Sequence, residues 1–177
     1  MTVATGISVR HAIEGDLGAI QRIYNDAILT TTATWDEEPW PWEQRIAWWQ
    51  SHNNPLEPIL VAEVEGEVVG FAYLTRVSAK SGWRFTREDT IYIDADCRGR
   101  GVGRTLLGAL IEEAGRIGIH LIVASITSEN VVSIKLHASF GFTEVGVFRE
   151  AGLKFGRRLD TTWMQLVLDD TDSDASA

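Results

Sequence analysis

The sequence predicts an α+β domain of three layers, α/β/α, with helices packed on both faces of one sheet. Two observations predict it. Runs of apolar residues with period two recur along the chain, bounded by Gly, Pro, Asn and Asp. Stretches with apolar residues at helical spacing are interleaved with these runs rather than gathered in one block.

The elements follow in order. Residues 7–12, ISVRHA, alternate as a first strand. Glu14-Gly15-Asp16 then opens a helix, with Asp16 as its N-cap and Leu17, Ile20, Tyr24, Ala27 and Ile28 at helical spacing. The polar stretch TTTATWDEEP leads to a second short helix in which Trp42, Ile46 and Trp49 share a face. SHNNPLEP is turn material. Two β-rich runs, ILVAEV and VVGFAYLTRV, flank the hairpin signal Glu65-Gly66-Glu67, and TREDTIYID is a further strand. GVGRTLLGALIEEAGRIG is the clearest helix, with Leu106, Leu107, Leu110, Ile111 and Ala114 as its buried stripe and Gly118 at its C-cap. HLIVASI is a strand, and VVSIKLHASFG is a short helix ending at Gly141. The strands FTEVGVFRE and TTWMQLVL bracket a loop.

A chain of 177 residues is one domain's worth, expected here over 1–168, with an acidic disordered tail at 169–177. The 25 acidic against 16 basic side chains give a net charge of −9, which repels nucleic acid. No apolar run approaches membrane-spanning length, and the N-terminus has no signal-peptide pattern. The single cysteine, Cys97, excludes an internal disulfide and fits a reducing compartment, so the expected location is cytoplasmic. Five of seven tryptophans crowd into residues 35–49. Packing accounts for most of them, and one or two are candidates for a pocket wall.

The most informative stretch is Arg98-Gly99-Arg100-Gly101-Val102-Gly103-Arg104, between a strand and the strongest helix. Alternating glycines let the backbone approach a ligand, and the helix behind presents unpaired N–H groups and a positive dipole end. Three arginines raise the local potential in an acidic protein, which suits a pyrophosphate. The Walker pattern fails because no lysine follows, and the dinucleotide fingerprint fails because Arg104 stands at its third glycine.

R-x-x-G-x-G opening a helix after the strand IYID resembles the acetyl-CoA motif of the GNAT superfamily of N-acetyltransferases. Asn130-x-x-Ser133-x-x-x-His137-x-x-x-Gly141-Phe142 is similar to that superfamily's second motif. IYNDAIL, FTREDTIYI, SIKLHASFGF and VGVFREAGLKFGRRLD look like its phosphinothricin and methionine sulfoximine acetyltransferase branch. The resemblance covers about residues 7–168. It implies a mixed, mostly antiparallel sheet splayed between two central strands, with acetyl-CoA as co-substrate and no metal. Backbone groups of Ile91, Tyr92 and Ile93 would pair with the pantetheine arm, and residues Gly99 to Arg104, with Arg98, would hold the pyrophosphate. Asn130, Ser133 and Ser139 would contact the rest of the cofactor. Relatives of this branch are dimers, and a homodimer is expected on that basis, with Lys154 near the interface and within reach of the neighbouring active site.

Acetyl transfer to an amine needs no covalent intermediate, but an aliphatic ammonium of pKa about 10.4 must be deprotonated. The resemblance puts Glu88 in that role, directly or through water, against the plain reading of a solvated glutamate in Arg87-Glu88-Asp89. Asp89 is expected on the opposite strand face. His137 is read either as the proton donor to the departing thiolate or as a structural histidine orienting its helix. Cys97 has no histidine partner nearby and is incidental.

A small amino acid analogue carries a carboxylate, which calls for a cation with directional donors. Arg84 is the candidate if the strand of Glu88 extends that far. Arg76, Ser78 and Lys80 in the preceding loop, with Thr90, complete the expected substrate set, and Thr30 to Trp35 form the other wall or simply cap local turns. The competing functions are a protein or peptide N-acetyltransferase and a non-catalytic acyl-CoA-binding module. Glu88 and His137 together argue against the last.

Overall fold

The alternating runs become a seven-stranded sheet in the order β1-β2-β3-β4-β5-β7-β6. The fold is that of a computed structural model, which describes residues 6–52 and 54–168; the expected tail at 169–177 lies outside the described residues. The strands are β1 Ile7–His11, β2 Ile59–Val64, β3 Glu67–Arg76, β4 Thr86–Ile93, β5 Leu121–Thr127, β6 Thr143–Lys154 and β7 Arg157–Val167. The helices are α1 Leu17–Thr30, α2 Trp42–Ser51, α3 Val102–Arg116 and α4 Val131–Ala138. Every strand pairing is antiparallel except β4 with β5.

Period-two alternation splits the core into two layers. Leu60, Ala62, Ala72, Leu74, Ile122 and Ala124 point to the α3 side and meet Leu106, Leu110 and Ala114. Ile59, Val61, Phe71 and Tyr92 point the other way, onto Leu17, Ile20, Ile23 and Ala27 of α1. The predicted α3 stripe is buried except Ile111, which is half-buried. Gly118 takes a φ of 78° after that helix, the left-handed conformation that ends it.

Three local expectations change. Asp16 does not cap α1 with its side chain. Its carboxylate instead accepts from the Ile13 amide at 2.8 Å and from both Arg10 Nη atoms at 2.7 and 2.9 Å, fixing the turn before the helix. In α2 the buried residue is Arg45, while Trp42 is exposed. The Arg45 guanidinium lies 5.0, 4.4 and 4.6 Å from the ring centroids of Tyr24, Trp40 and Trp48. The Tyr24 hydroxyl and Trp40 Nε1 each donate to Asp36 at 2.6 Å. Two of the five crowded tryptophans, Trp40 and Trp48, therefore pack around a caged cation.

The third change is at the C-terminus. No loop separates the last strands: β6 runs on to Lys154 and β7 starts at Arg157. Phe155 and Gly156 have φ of 50° and 71°, the two positive angles of a tight hairpin turn. A register shift between Phe148 and Gly152 accommodates Glu150, whose φ is 52° and whose amide donates to Asp160 Oδ1 at 2.8 Å. The lengthened hairpin brings Gly152 under the Trp35 ring, where an added Cβ would lie 2.4 Å from two ring carbons. Gly152→Ala is expected to cost about 1–3 kcal/mol through this overlap, read as a lower midpoint in thermal unfolding.

Candidate active site

β4 and β5 pair only at Thr86↔Leu121, Arg87↔Ile122 and Glu88↔Val123. Beyond that point β4 stays with β3 as far as Ile93, and β5 stays with β7 as far as Thr127. Each strand keeps the partner on its far side while the two part, and the sheet opens into a fork. A cavity of about 180 Å³ occupies the apex, between Glu88–Tyr92 on one arm and Ala124–Thr127 on the other. A larger groove of about 770 Å³ continues from it toward the start of α3. The two share Ala33, Ile91, Tyr92, Asn130 and Ser133, so they form one channel.

At the groove end the glycine turn is arranged as its sequence predicts. Gly99 and Gly101 have φ of 72° and 91°, and the space above Gly99 is open, with nothing within 4 Å of an added Cβ. At Gly103 the same Cβ would sit 3.4 Å from Leu136 Cδ2, so this glycine lets α3 approach α4. Arg98, Gly99 and Gly103 line the groove beside Ile91, Tyr92 and Ile93. Val102 is buried in the core, so only its backbone faces the turn. Arg100 is exposed and outside the lining. Arg104 is turned away: it donates to Ser139 Oγ at 3.1 Å and lies over Phe140 at 5.1 Å. Ser139 is thus occupied by Arg104 and by the Leu136 carbonyl at 2.7 Å, outside the groove. Asn130 caps α4, its Oδ1 accepting from the Ser133 amide at 3.2 Å, and both residues line the channel.

At the apex, Glu88 occupies the last paired position, on the α1 side with Tyr92. Burial pushes its carboxyl above the ordinary range; a hydrogen bond with Ser125 opposes this and the neighbouring Asp89 charge adds to it. Thr90 and Ser125 line the same cavity, as do Ala33, Thr34 and Trp35 of the connection after α1. Both readings of that connection hold: its wall faces the cavity, and Thr31 Oγ1 also donates to the Ala27 carbonyl at 2.8 Å. Ser125 escaped the sequence reading, although period two in HLIVASI places it opposite the core-facing Ala124 and Ile126.

The expected carboxylate-binding set is not brought together. β4 begins at Thr86, so Arg84 is not on its face; it stacks on Phe85 at 4.6 Å and reaches the Ser81 carbonyl at 3.4 Å. Arg76 lies 3.9 Å from Glu57, and Ser78 Oγ accepts from the Lys80 amide at 3.3 Å. None of these four lines the cavity. Lys154 is fully buried and donates to the Asp36 carbonyl of its own chain, so it is not presented to a neighbouring subunit. Burial pushes its ammonium down, with Asp36 and Glu37 opposing. Its place beside the glycine under Trp35 makes it an anchor of the cavity wall.

His137 is buried beneath the apex. Nδ1 lies 2.8 Å from the Ser133 carbonyl and Nε2 lies 3.0 Å from Asp89 Oδ2. Asp89 does face away from Glu88, toward α4. Burial alone would lower the imidazole, but the Asp89 hydrogen bond and charge and the Ser133 carbonyl outweigh it, and the net direction is up. A group raised in the folded state contributes stability below its unfolded value of about 6.5 and loses it as pH climbs through the folded one. Thermal stability is therefore expected to fall on the alkaline side of that range, and a His137→Gln variant should lack this fall; both are read from Tm against pH.

Residues 20–142 match the acetyltransferase (GNAT) family. The L-methionine sulfoximine/L-methionine sulfone acetyltransferase of Salmonella typhimurium is 42% identical over 164 residues, covering 93% of this chain and 96% of that protein. A GNAT superfamily phosphinothricin acetyltransferase from Sinorhizobium meliloti, crystallised with acetyl-CoA, is 31% identical with a TM-score of 0.88, over 94% of this chain and 98% of that one. The ribosomal-protein-alanine N-acetyltransferase structure from Brucella melitensis is 44% identical with a TM-score of 0.88, over 91% of this chain and 99% of that one. With the splayed sheet, the glycine turn and more than half of its length matched, the chain belongs to the acetyltransferase (GNAT) family.

Proposed function

We propose that the protein transfers the acetyl group of acetyl-CoA to the α-amino group of a small amino acid analogue of the phosphinothricin, methionine sulfoximine or methionine sulfone class. One observation carries the reading: Glu88, half-buried and shifted toward protonation, sits at the fork's apex where a small cavity joins the groove. The names of the relatives support the substrate class.

Acetyl-CoA supplies an activated thioester. The chain's own residues do the rest. Gly99 and the amides that open α3 hold the diphosphate, with Arg98 alongside, and the edge of Ile91 to Ile93, whose last carbonyl accepts from Arg98 Nε at 3.2 Å, pairs with the pantetheine arm. Asn130 and Ser133 bound the same channel. Glu88 takes the proton of the substrate ammonium, and its raised carboxyl suits that task at neutral pH better than an ordinary glutamate. Thr90 offers a hydroxyl to the substrate carboxylate. The exposed apolar side chains Val145, Val147, Phe148, Leu153 and Phe155 lie on or beside the edge strand β6, and fit a homodimer formed along that edge. The free Cys97 fits a cytoplasmic enzyme.

The name of the Brucella melitensis protein favours a second reading, a protein N-terminal acetyltransferase. The small apex cavity walled by Trp35 suits a free amino acid better than a peptide chain.

Glu88→Gln is expected to lower kcat by about 10²–10⁴-fold while calorimetric CoA affinity stays unchanged. In the wild type, kcat/KM should fall as pH drops through the raised Glu88 value, at higher pH than an ordinary carboxylate gives, and the variant should lack this limb. Normal turnover of the variant would remove Glu88 from the role. Gly101→Ala, which forces a side chain into a φ of 91°, should weaken CoA binding by about tenfold. Side-by-side assays of free analogues and peptides decide between the two substrate readings: turnover of peptides alone would sink the first.

A further inference from the structure

We propose that Asp89 is a positioning residue, which with His137 forms a buried pin across the fork and fixes its width where the acyl group meets the amine. The inference rests on the acetyl-transfer reading and concerns residues that reading does not use as donors or bases.

Position carries the first part of the argument. Glu88↔Val123 is the last pair between β4 and β5, so Asp89 is the first residue of β4 whose β5 neighbour is missing. α4 follows β5 through the turn at Ser128–Asn130, so His137 belongs to the opposite arm. The Nε2–Oδ2 contact of 3.0 Å therefore spans the fork at the point where the ladder stops holding it. On the other sheet face, Thr127 Oγ1 of β5 donates to the Thr32 carbonyl, tying the same arm to the connection after α1.

Chemistry carries the second part. The Ser133 carbonyl can only accept, so Nδ1 carries a proton. Nε2 is then engaged with the Asp89 carboxyl, whichever atom holds the shared proton. Neither ring nitrogen is left to face the groove, and both side chains are 1–2% exposed. A histidine with both nitrogens occupied in this way orients its helix rather than protonating a thiolate. That helix carries Asn130 and Ser133, while the backbone of Asp89 continues directly from Glu88. One pair thus sets the distance between the cofactor-lining helix and the base.

A buried pair of this kind has a characteristic response. Removing one partner strands the other, whereas removing both leaves no stranded charge. The experiment compares Asp89→Asn, His137→Gln and the double variant, measuring kcat and KM for acetyl-CoA, calorimetric CoA affinity and Tm, with wild type and Glu88→Gln in parallel. Each single variant is expected to raise the KM for acetyl-CoA by about tenfold or more, with kcat within about threefold. The double variant should recover most of that loss. If His137→Gln instead lowers kcat alone, and the double is no better, His137 is a proton donor and the pin is overturned. If the singles do not fold, the double decides: KM for acetyl-CoA within about threefold of wild type supports the pin, and a larger rise or no turnover overturns it. Absence of wild-type turnover on every acceptor would instead refute the acetyl-transfer reading, which separates the two failures.

Discussion

The parting of β4 from β5 is the constraint on which the rest of the molecule depends. A parallel pair that ends after three residues leaves a row of amides and carbonyls on each arm without a strand partner. Inside a sheet such groups need another acceptor or donor, or solvent. The fork leaves room for an extended ligand in place of the missing neighbour, the place that the proposed function gives to the pantetheine arm, with Glu88 and its neighbours at the apex. Strand pairing therefore makes the site. The glycine turn and α3 complete it at one end, and Glu88 completes it at the other.

Much of this architecture is legible in the residues alone. α3 announces itself because Val102, Leu106, Leu107, Leu110 and Ala114 recur at helical spacing over about three turns, and β2 and β3 do so because Glu65-Gly66 breaks a largely apolar run. The glycine turn is legible because few backbones other than glycine's adopt positive φ twice within three residues. The C-terminal hairpin is not, since its turn places Phe155 in the left-handed region, which no propensity favours, and a bulge at Glu150 breaks the alternation.

The site is legible in proportion to how local its chemistry is. Gly99 to Gly103 carry their signal in five residues. Asp89 and His137 stand 48 positions apart and share no pattern that would couple them, so only the folded chain pairs them. Arg76, Lys80 and Arg84 have the charge a carboxylate needs, yet the connection that holds them stands off the cavity. Lys154 is misleading for the opposite reason: a lysine near a hairpin tip is ordinarily solvated, and here a backbone carbonyl of the 31–40 connection draws it inside.

The anchoring of Trp35 and Asp36 by Gly152 and Lys154 has a consequence for the order in which the molecule becomes competent. A ribosome releases the glycine turn and α3 well before the final hairpin, with α4 just ahead of it. A nascent chain at that stage holds the glycine turn proposed for the diphosphate but lacks the brace behind the Trp35 wall, and β5 still lacks β7. The wall at Trp35 is thus braced last, by the hairpin of β6 and β7. Under the proposed function, substitutions at Gly152 and Lys154 would alter the acceptor wall and leave the glycine turn untouched.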